Sequence, residues 1–180
     1  MLQILSSLIL KAFGWKITGV YPKNVDKKIL AAGPHTSNWD FPLGLIVRVL
    51  IEDKVQFIGK ASLFKPPFGW AFKALGGVPV DRSKSNNFVD SVVEEFNKRP
   101  KLSILFAPEG TRKKVKTLKT GFYFIAKNAQ VPILPCILDF EKKEFRFLDL
   151  FFPSDNTASD LIKIEQMFRG IKGKNPEQGF

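Results

Sequence analysis

"ILAAGPHTSNWDFPLGLIVRVLIE", residues 29–52, carries three structural signals in a row. Ile29–Ala32 is a short apolar run that reads as a buried strand. Gly33-Pro34 ends that run and constrains the turn after it. Phe41–Glu52 is apolar on most sides, which predicts a buried helix. Asp40 directly precedes the helical pattern and Pro42 falls in its first turn, both suited to a helix N-terminus. Strand, polar loop and buried helix in that order set the theme for the rest of the chain.

The alternation continues outward. Val55–Ile58, Val78–Val80, Leu102–Ala107, Ile133–Leu138 and Phe145–Leu148 read as strands. Asn87–Lys98 places Phe88, Val92 and Phe96 on one helical stripe, and Thr120–Ala129 and Ala158–Ile171 repeat the pattern. Strands alternating with helices predict a single α/β domain, with a mixed, mostly parallel sheet flanked by helices on both faces. In such sheets ligands gather at the loops beyond the carboxyl ends of strands. Three polar stretches fall there: "GPHTSNWD", "VPVDRSK" and "FAPEGTRKK".

Composition narrows the chemistry. The chain has 180 residues, 44% apolar and 25% charged, which is globular rather than disordered. A net charge of +11 calls for an anionic partner: nucleic acid, an anionic lipid surface or a phosphorylated substrate. One cysteine, Cys136, excludes an internal disulfide, and one histidine, His35, excludes a multi-histidine metal centre; a carboxylate metal site stays open, but no clustered spacing suggests one, and no metal is expected.

The N-terminus reads "MLQILSSLILKAFGWK". It is too short and too interrupted to span a bilayer, and it lacks the features of a signal peptide. Gln3, Ser6, Ser7 and Lys11 share one helical arc, with Leu2, Leu5, Ile9 and Phe13 opposite. Residues 1–19 are therefore expected to form an amphipathic helix, either lying in a membrane surface or packed on the domain of residues 20–180.

His35 sits at a strand end on a constrained turn. Asp40 has two readings, a helix cap or a carboxylate folded back onto the imidazole, fixing its tautomer and leaving the other nitrogen as a base. In "FAPEGTR", glycine allows close backbone approach, Thr111 offers a hydroxyl and Arg112 a fork of donors matched to phosphate. Glu109 could hold Arg112 or bind substrate hydroxyls. Lys113, Lys114, Lys116 and Lys119 raise the local positive potential. Arg82 after the "VPV" run is a second anion clamp or an ordinary ion pair with Asp81. Phe64, Phe68, Trp70 and Phe72 belong to the core, an apolar groove or a lipid contact.

The order and spacing of these pieces resemble the glycerolipid acyltransferase family, which includes the enzymes acylating glycerol 3-phosphate and lysophosphatidic acid. His35-Thr36-Ser37-Asn38-Trp39-Asp40 fits its H-x4-D block. Gly77–Arg82 looks like the second block, Glu109-Gly110-Thr111-Arg112 matches the third and Val131-Pro132-Ile133-Leu134-Pro135 the fourth. The departures are Pro34 before the histidine, Val80 in the second block and Leu118 before Lys119.

The resemblance implies transfer of a fatty acyl group from an acyl-CoA or acyl carrier protein thioester to the hydroxyl of a phosphorylated glycerolipid, with no bound cofactor. His35 is then the general base and Asp40 its orienting partner. Arg112 and Arg82, with Lys60, hold the acceptor phosphate, and Glu109, Gly110 and Thr111 shape that pocket. It also favours the membrane reading of the N-terminal helix, on the inner, cytoplasmic face as a peripheral protein, without nucleic acid. Two rivals remain. One is a lipid or thioester hydrolase using Ser37 or Ser62, although no Gly-x-Ser-x-Gly elbow is present. The other is a non-catalytic module binding anionic lipid or nucleic acid.

Overall fold

In chain order the computed structural model contains α1 (Leu2–Ala12), β1 (Lys16–Thr18), β2 (Lys27–Gly33), α2 (Asp40–Ile51), β3 (Gln56–Lys60), a 3-10 turn (Ala61–Phe64), α3 (Gly69–Ala74), β4 (Gly77–Val80), α4 (Phe88–Lys98), β5 (Leu102–Phe106), α5 (Gly121–Ala129), β6 (Ile133–Asp139), β7 (Glu144–Phe147), α6 (Thr157–Phe168) and a 3-10 turn (Pro176–Gln178). It describes residues 1–80 and 88–179, and the side chains at positions 59–61 and 80 lie outside that description. The seven-stranded sheet has the order β1-β7-β6-β2-β5-β3-β4. β2 through β6 run parallel, β7 is antiparallel to β6, and β1 is parallel to β7.

The expected strands and the long helices from α2 onward form, with boundaries moved by a residue or a few; the N-terminal helix expected over residues 1–19 stops at Ala12, and residues 16–18 join the sheet as β1. Besides the two 3-10 turns, two elements among the described residues were not anticipated. β1 is a three-residue strand that opens on a lysine, too short to show a period. α3 has six residues and follows a pair of prolines.

The central strand explains why its sequence is apolar throughout. Ile29 and Ala31 face a core with Val92 and Phe96 of α4, Phe122 and Ile125 of α5, and Ile164 and Phe168 of α6. Leu30 and Ala32 face a second core with Leu10 of α1 and Leu43, Val47 and Ile51 of α2. A strand covered on both sides loses the in-out alternation of a half-exposed one. Lys28 is the exception in this strand, buried to 1% exposure. Its ammonium lies 3.2 Å from Asp53 and donates to the Val25 carbonyl at 2.7 Å. Burial alone would raise the Asp53 pKa, but hydrogen bonds from Tyr21 and Ser103 and the Lys28 charge outweigh it and hold the carboxyl below its ordinary value.

α1 packs on the domain, as one of the two readings of the N-terminus expects, and leaves an apolar arc exposed. Ser6 and Leu10 are buried, whereas Leu2, Ile4, Leu5, Leu8 and Phe13 are exposed. The helix therefore packs on α2 by a narrow edge and turns its apolar arc outward. Gln3 hydrogen-bonds Glu52, just past the end of α2. At the other end, Lys16 pairs with Glu144, which lies opposite Asp139 at the end of β6. The chain leaving α1 thus arrives at the carboxyl end of the parallel strands. Among the described residues, no helix is long and apolar enough to cross a membrane.

Candidate active site

β2 and β5 are neighbours in register, with Ala31 beside Phe106. The segments leaving their carboxyl ends therefore emerge side by side. The first leads into α2 on one face of the sheet, the second toward α5 on the other, which opens a crevice between them.

His35 stands at the end of β2 with its side chain 33% exposed, and its Nδ1 is 2.8 Å from Asp40 Oδ2. The same carboxylate oxygen accepts the backbone N–H groups of Thr36 and Ser37, both at 3.0 Å. Asp40 is the first residue of α2, and Trp39 occupies the cap position without a side-chain cap bond. The cap reading of Asp40 therefore gives way to the second one: the carboxylate curls back over its own loop. A carboxylate only accepts, so Nδ1 must carry a proton, and in the neutral imidazole the lone pair is then on Nε2. Among the described residues nothing hydrogen-bonds Nε2.

Glu109, at 3% exposure, lies beneath this loop. Its Oε1 accepts the His35 backbone N–H at 3.0 Å. Among the described residues no hydrogen bond joins it to Arg112, the first of its two sequence readings. Its other oxygen, and Asp40 Oδ1, have no partner among the described residues. Burial pushes the Glu109 pKa up, against the opposing pull of backbone hydrogen bonds. The sign follows from linkage. With its folded pKa above the unfolded value of about 4.3, the native state holds the proton more tightly, so stability falls as pH rises through that window. Glu109→Gln keeps the acceptor for the His35 N–H and removes the charge. Its melting temperature relative to the wild type is expected to improve from pH 4 to pH 7; a pH-independent difference contradicts this account.

The following residues tie the second loop to the first. Gly110 has φ +64, and a Cβ there would sit 3.1 Å from Lys119 Cγ, so the turn calls for glycine. Thr111 Oγ1 accepts the Lys113 N–H at 3.2 Å. The exposed Arg112 guanidinium donates to Asn38 Oδ1. His35, Asp40, Glu109, Gly110, Thr111 and Arg112 thus come together on two adjoining loops, and Lys113, Lys114, Lys116 and Lys119, which follow Arg112 in the chain, are exposed. Arg82 lies outside the described residues, and for Lys60 only the backbone, at the end of β3, is described. Asn38 and Thr36 were missed as working parts because they sit unmarked inside the H-x4-D block.

Behind His35 and Asp40 an apolar cavity of about 200 Å³ runs between α2 and the sheet, lined by Leu30, Gly44, Arg48, Phe57, Leu138 and Phe147 among others. A Cβ added at Gly44 would meet open space. Arg48 donates to the Leu75 carbonyl at 2.6 Å. Of the aromatic stretch after β3, Phe72 packs toward Phe41 with ring centroids 6.1 Å apart, but Phe68 and Trp70 are exposed, as is Trp39 in the histidine loop. Core packing therefore accounts for only part of that stretch. Ser37 Oγ accepts the Trp39 N–H and Ser62 is exposed on its turn, and neither hydroxyl bonds the imidazole. Among the described residues, no group of three or more His, Cys, Asp or Glu is placed to hold a metal ion.

Such a site can take a proton at Nε2 from a hydroxyl, set anionic groups against arginine and lysine, and admit hydrocarbon beside the reacting atoms. Residues 16–139 match the family described as Acyltransferase, and the chain belongs to that family. It is 31% identical over 135 residues to the 1-acyl-sn-glycerol-3-phosphate acyltransferase of Haemophilus influenzae, covering 69% of this chain and 54% of that protein. With the Salmonella typhimurium enzyme of the same name it shares 30% over 141 residues, 73% of this chain and 56% of that one. The chain spans about half the length of these relatives. The crystal structure of the Thermotoga maritima 1-acyl-sn-glycerophosphate acyltransferase, PlsC, shares the fold, with a TM-score of 0.62 at 20% identity over 92% of this chain and 74% of that one.

Proposed function

We propose that this chain transfers a fatty acyl group from a thioester, on coenzyme A or acyl carrier protein, to the free hydroxyl of a phosphorylated glycerolipid such as lysophosphatidic acid. The observation that carries the reading is that one imidazole, held by a buried carboxylate, both lines an apolar chamber and lies against the loop of Arg112. The names of the relatives support the same substrate class.

His35 Nε2 removes the acceptor hydroxyl proton as that oxygen attacks the thioester carbonyl. The tetrahedral intermediate then collapses to the ester, and the departing thiolate takes the proton back from the imidazolium. Base catalysis of this kind is typically worth about 10²–10⁴ in rate. Asp40 fixes the tautomer and stabilises the transient cation. Arg112, with Arg82 and Lys60, holds the acceptor phosphate, and the Gly110-Thr111 turn brings backbone close to it. The acyl chain enters the cavity along α2. The twelve residues of α2, at about 1.5 Å each, span about 18 Å, which suits a fatty chain.

The outward apolar arc of α1 and the exposed Trp39, Phe68 and Trp70 fit contact with lipid on the cytoplasmic face. The +11 charge then favours anionic lipid. No bound cofactor or nucleic acid enters this scheme.

The test supplies labelled acyl-CoA or acyl carrier protein thioester with lysophosphatidic acid, with monoacylglycerol, or with no acceptor, in vesicles containing anionic lipid. The expected result is phosphatidic acid from the phosphorylated acceptor alone. Free fatty acid without any acyl acceptor would put a hydrolase in its place. Within this scheme, Gly44→Phe fills part of the cavity along α2. It is expected to lower kcat/KM for long-chain thioesters at least tenfold while sparing short-chain ones, the scale of a few misplaced methylenes. Equal losses at all chain lengths would remove the chain from this cavity.

A further inference from the structure

Beyond α6 the chain returns to the site, and the role of that segment is not carried by the H-x4-D or E-G-T-R residues. The Phe140 N–H donates to the Lys172 carbonyl at 2.9 Å, and the Lys172 ammonium lies 2.5 Å from Glu141, which fixes the segment just past β6. It then crosses Thr36, the residue next to His35. Gly173 lies so close that a Cβ there would stand 2.3 Å from Thr36 Oγ1 and 2.7 Å from its Cγ2. The Asn175 backbone N–H donates to Thr36 Oγ1 at 3.2 Å, and its side-chain amide donates to the Thr36 carbonyl at 2.9 Å. The Gln178 amide, turned so that its nitrogen donates, reaches the Thr36 carbonyl at 3.0 Å and the Arg112 carbonyl at 2.6 Å.

Thr36 is 2% exposed. Its peptide is gripped from two sides: the N–H by Asp40 from within, the carbonyl by Asn175 and Gln178 from without. Gln178 also couples that carbonyl to the backbone of the arginine loop. We propose that Gly173, Asn175 and Gln178 are positioning residues that set the distance between the imidazole and the Arg112 loop. The inference rests on the reading of His35 as the base. None of these residues touches the reacting atoms. Their effect passes through Thr36, whose displacement shifts His35 and its bond to Asp40 together. A displacement of about 1 Å in such a site costs up to 10²-fold in rate.

The experiment uses the full chain with Asn175→Ala and Gln178→Ala, reading kcat and KM with lysophosphatidic acid, melting temperature, and the NMR signal of the imidazole. That signal is unambiguous because His35 is the only histidine. The expected result is a kcat roughly ten- to a hundredfold lower, with thioester KM and melting temperature nearly unchanged and the imidazole signal displaced. Gly173→Ala, which drives a methyl group into Thr36, should be at least as damaging. Adding Thr36→Ala, which removes both crowding atoms, should recover part of that loss, a coupling that independent sites would not show. Wild-type kcat together with an unmoved imidazole signal in both single variants would overturn the proposal while leaving the acyltransferase reading intact. If the wild type transfers no acyl group, that reading fails, and the imidazole signal alone decides: displaced in the variants supports the strap, unmoved overturns it.

Discussion

His35→Ala is expected to lower kcat for acyl transfer by about 10²–10⁴-fold and to leave the melting temperature close to that of the wild type. The ring is one-third exposed, and its hydrogen bond is to Asp40. Removing it leaves the Thr36 and Ser37 N–H groups still bound to the carboxylate and the His35 backbone still bound to Glu109, so the loop keeps its fastenings. With no second histidine in the chain, nothing of similar basicity can take over. Steady-state kinetics with lysophosphatidic acid and a thermal melt check both halves. Transfer within about threefold of the wild type would exclude base catalysis by this ring.

The second large effect is expected at Asp40→Asn. Thr36, Ser37 and Nδ1 all meet the one oxygen Oδ2, so an amide that keeps its oxygen on the two backbone N–H groups conserves the loop and still accepts from Nδ1. What it removes is the negative charge that stabilises the imidazolium formed when Nε2 takes the hydroxyl proton. The loss is expected at about 10²–10⁴-fold in kcat, the scale of the base catalysis that charge supports, with little change in KM. The nitrogen-15 spectrum of the single imidazole checks that the tautomer is retained. A kcat within about threefold of the wild type would reduce Asp40 to a fastener of the loop.

The backbone layout was largely legible from residue patterns because β2, β5 and β6 are apolar enough to be buried on two sides and α2, α4, α5 and α6 carry clear stripes. β1 escaped because three residues cannot display a period, and α3 because its pattern is short and follows prolines. Within the site, the polar loop between strand and helix offered the pairing of His35 with Asp40 as one of two readings, and the H-x4-D resemblance favoured it. Its contact with Glu109 was not, since the two are 74 positions apart and meet only because β2 and β5 are adjacent. The roles of Thr36, Asn175 and Gln178 depend on where a terminal segment returns, and small polar residues carry no mark of that. α1 was ambiguous for a physical reason: its polar arc includes Ser6, which packs inward, so amphipathicity alone does not say which arc meets the protein.

β1 pairs with β7, whose other neighbour is β6. Residues 16–18 therefore seal the margin of the sheet, and Glu144 draws both the Thr18 hydroxyl, at 2.8 Å, and the Lys16 ammonium, at 3.7 Å, from them. A shortened chain starting at Val20 would bare the N–H and C=O groups along β7 and invite self-association by strand addition. One starting at Trp15 sheds α1 alone and keeps the margin closed, so it separates lipid contact from solubility.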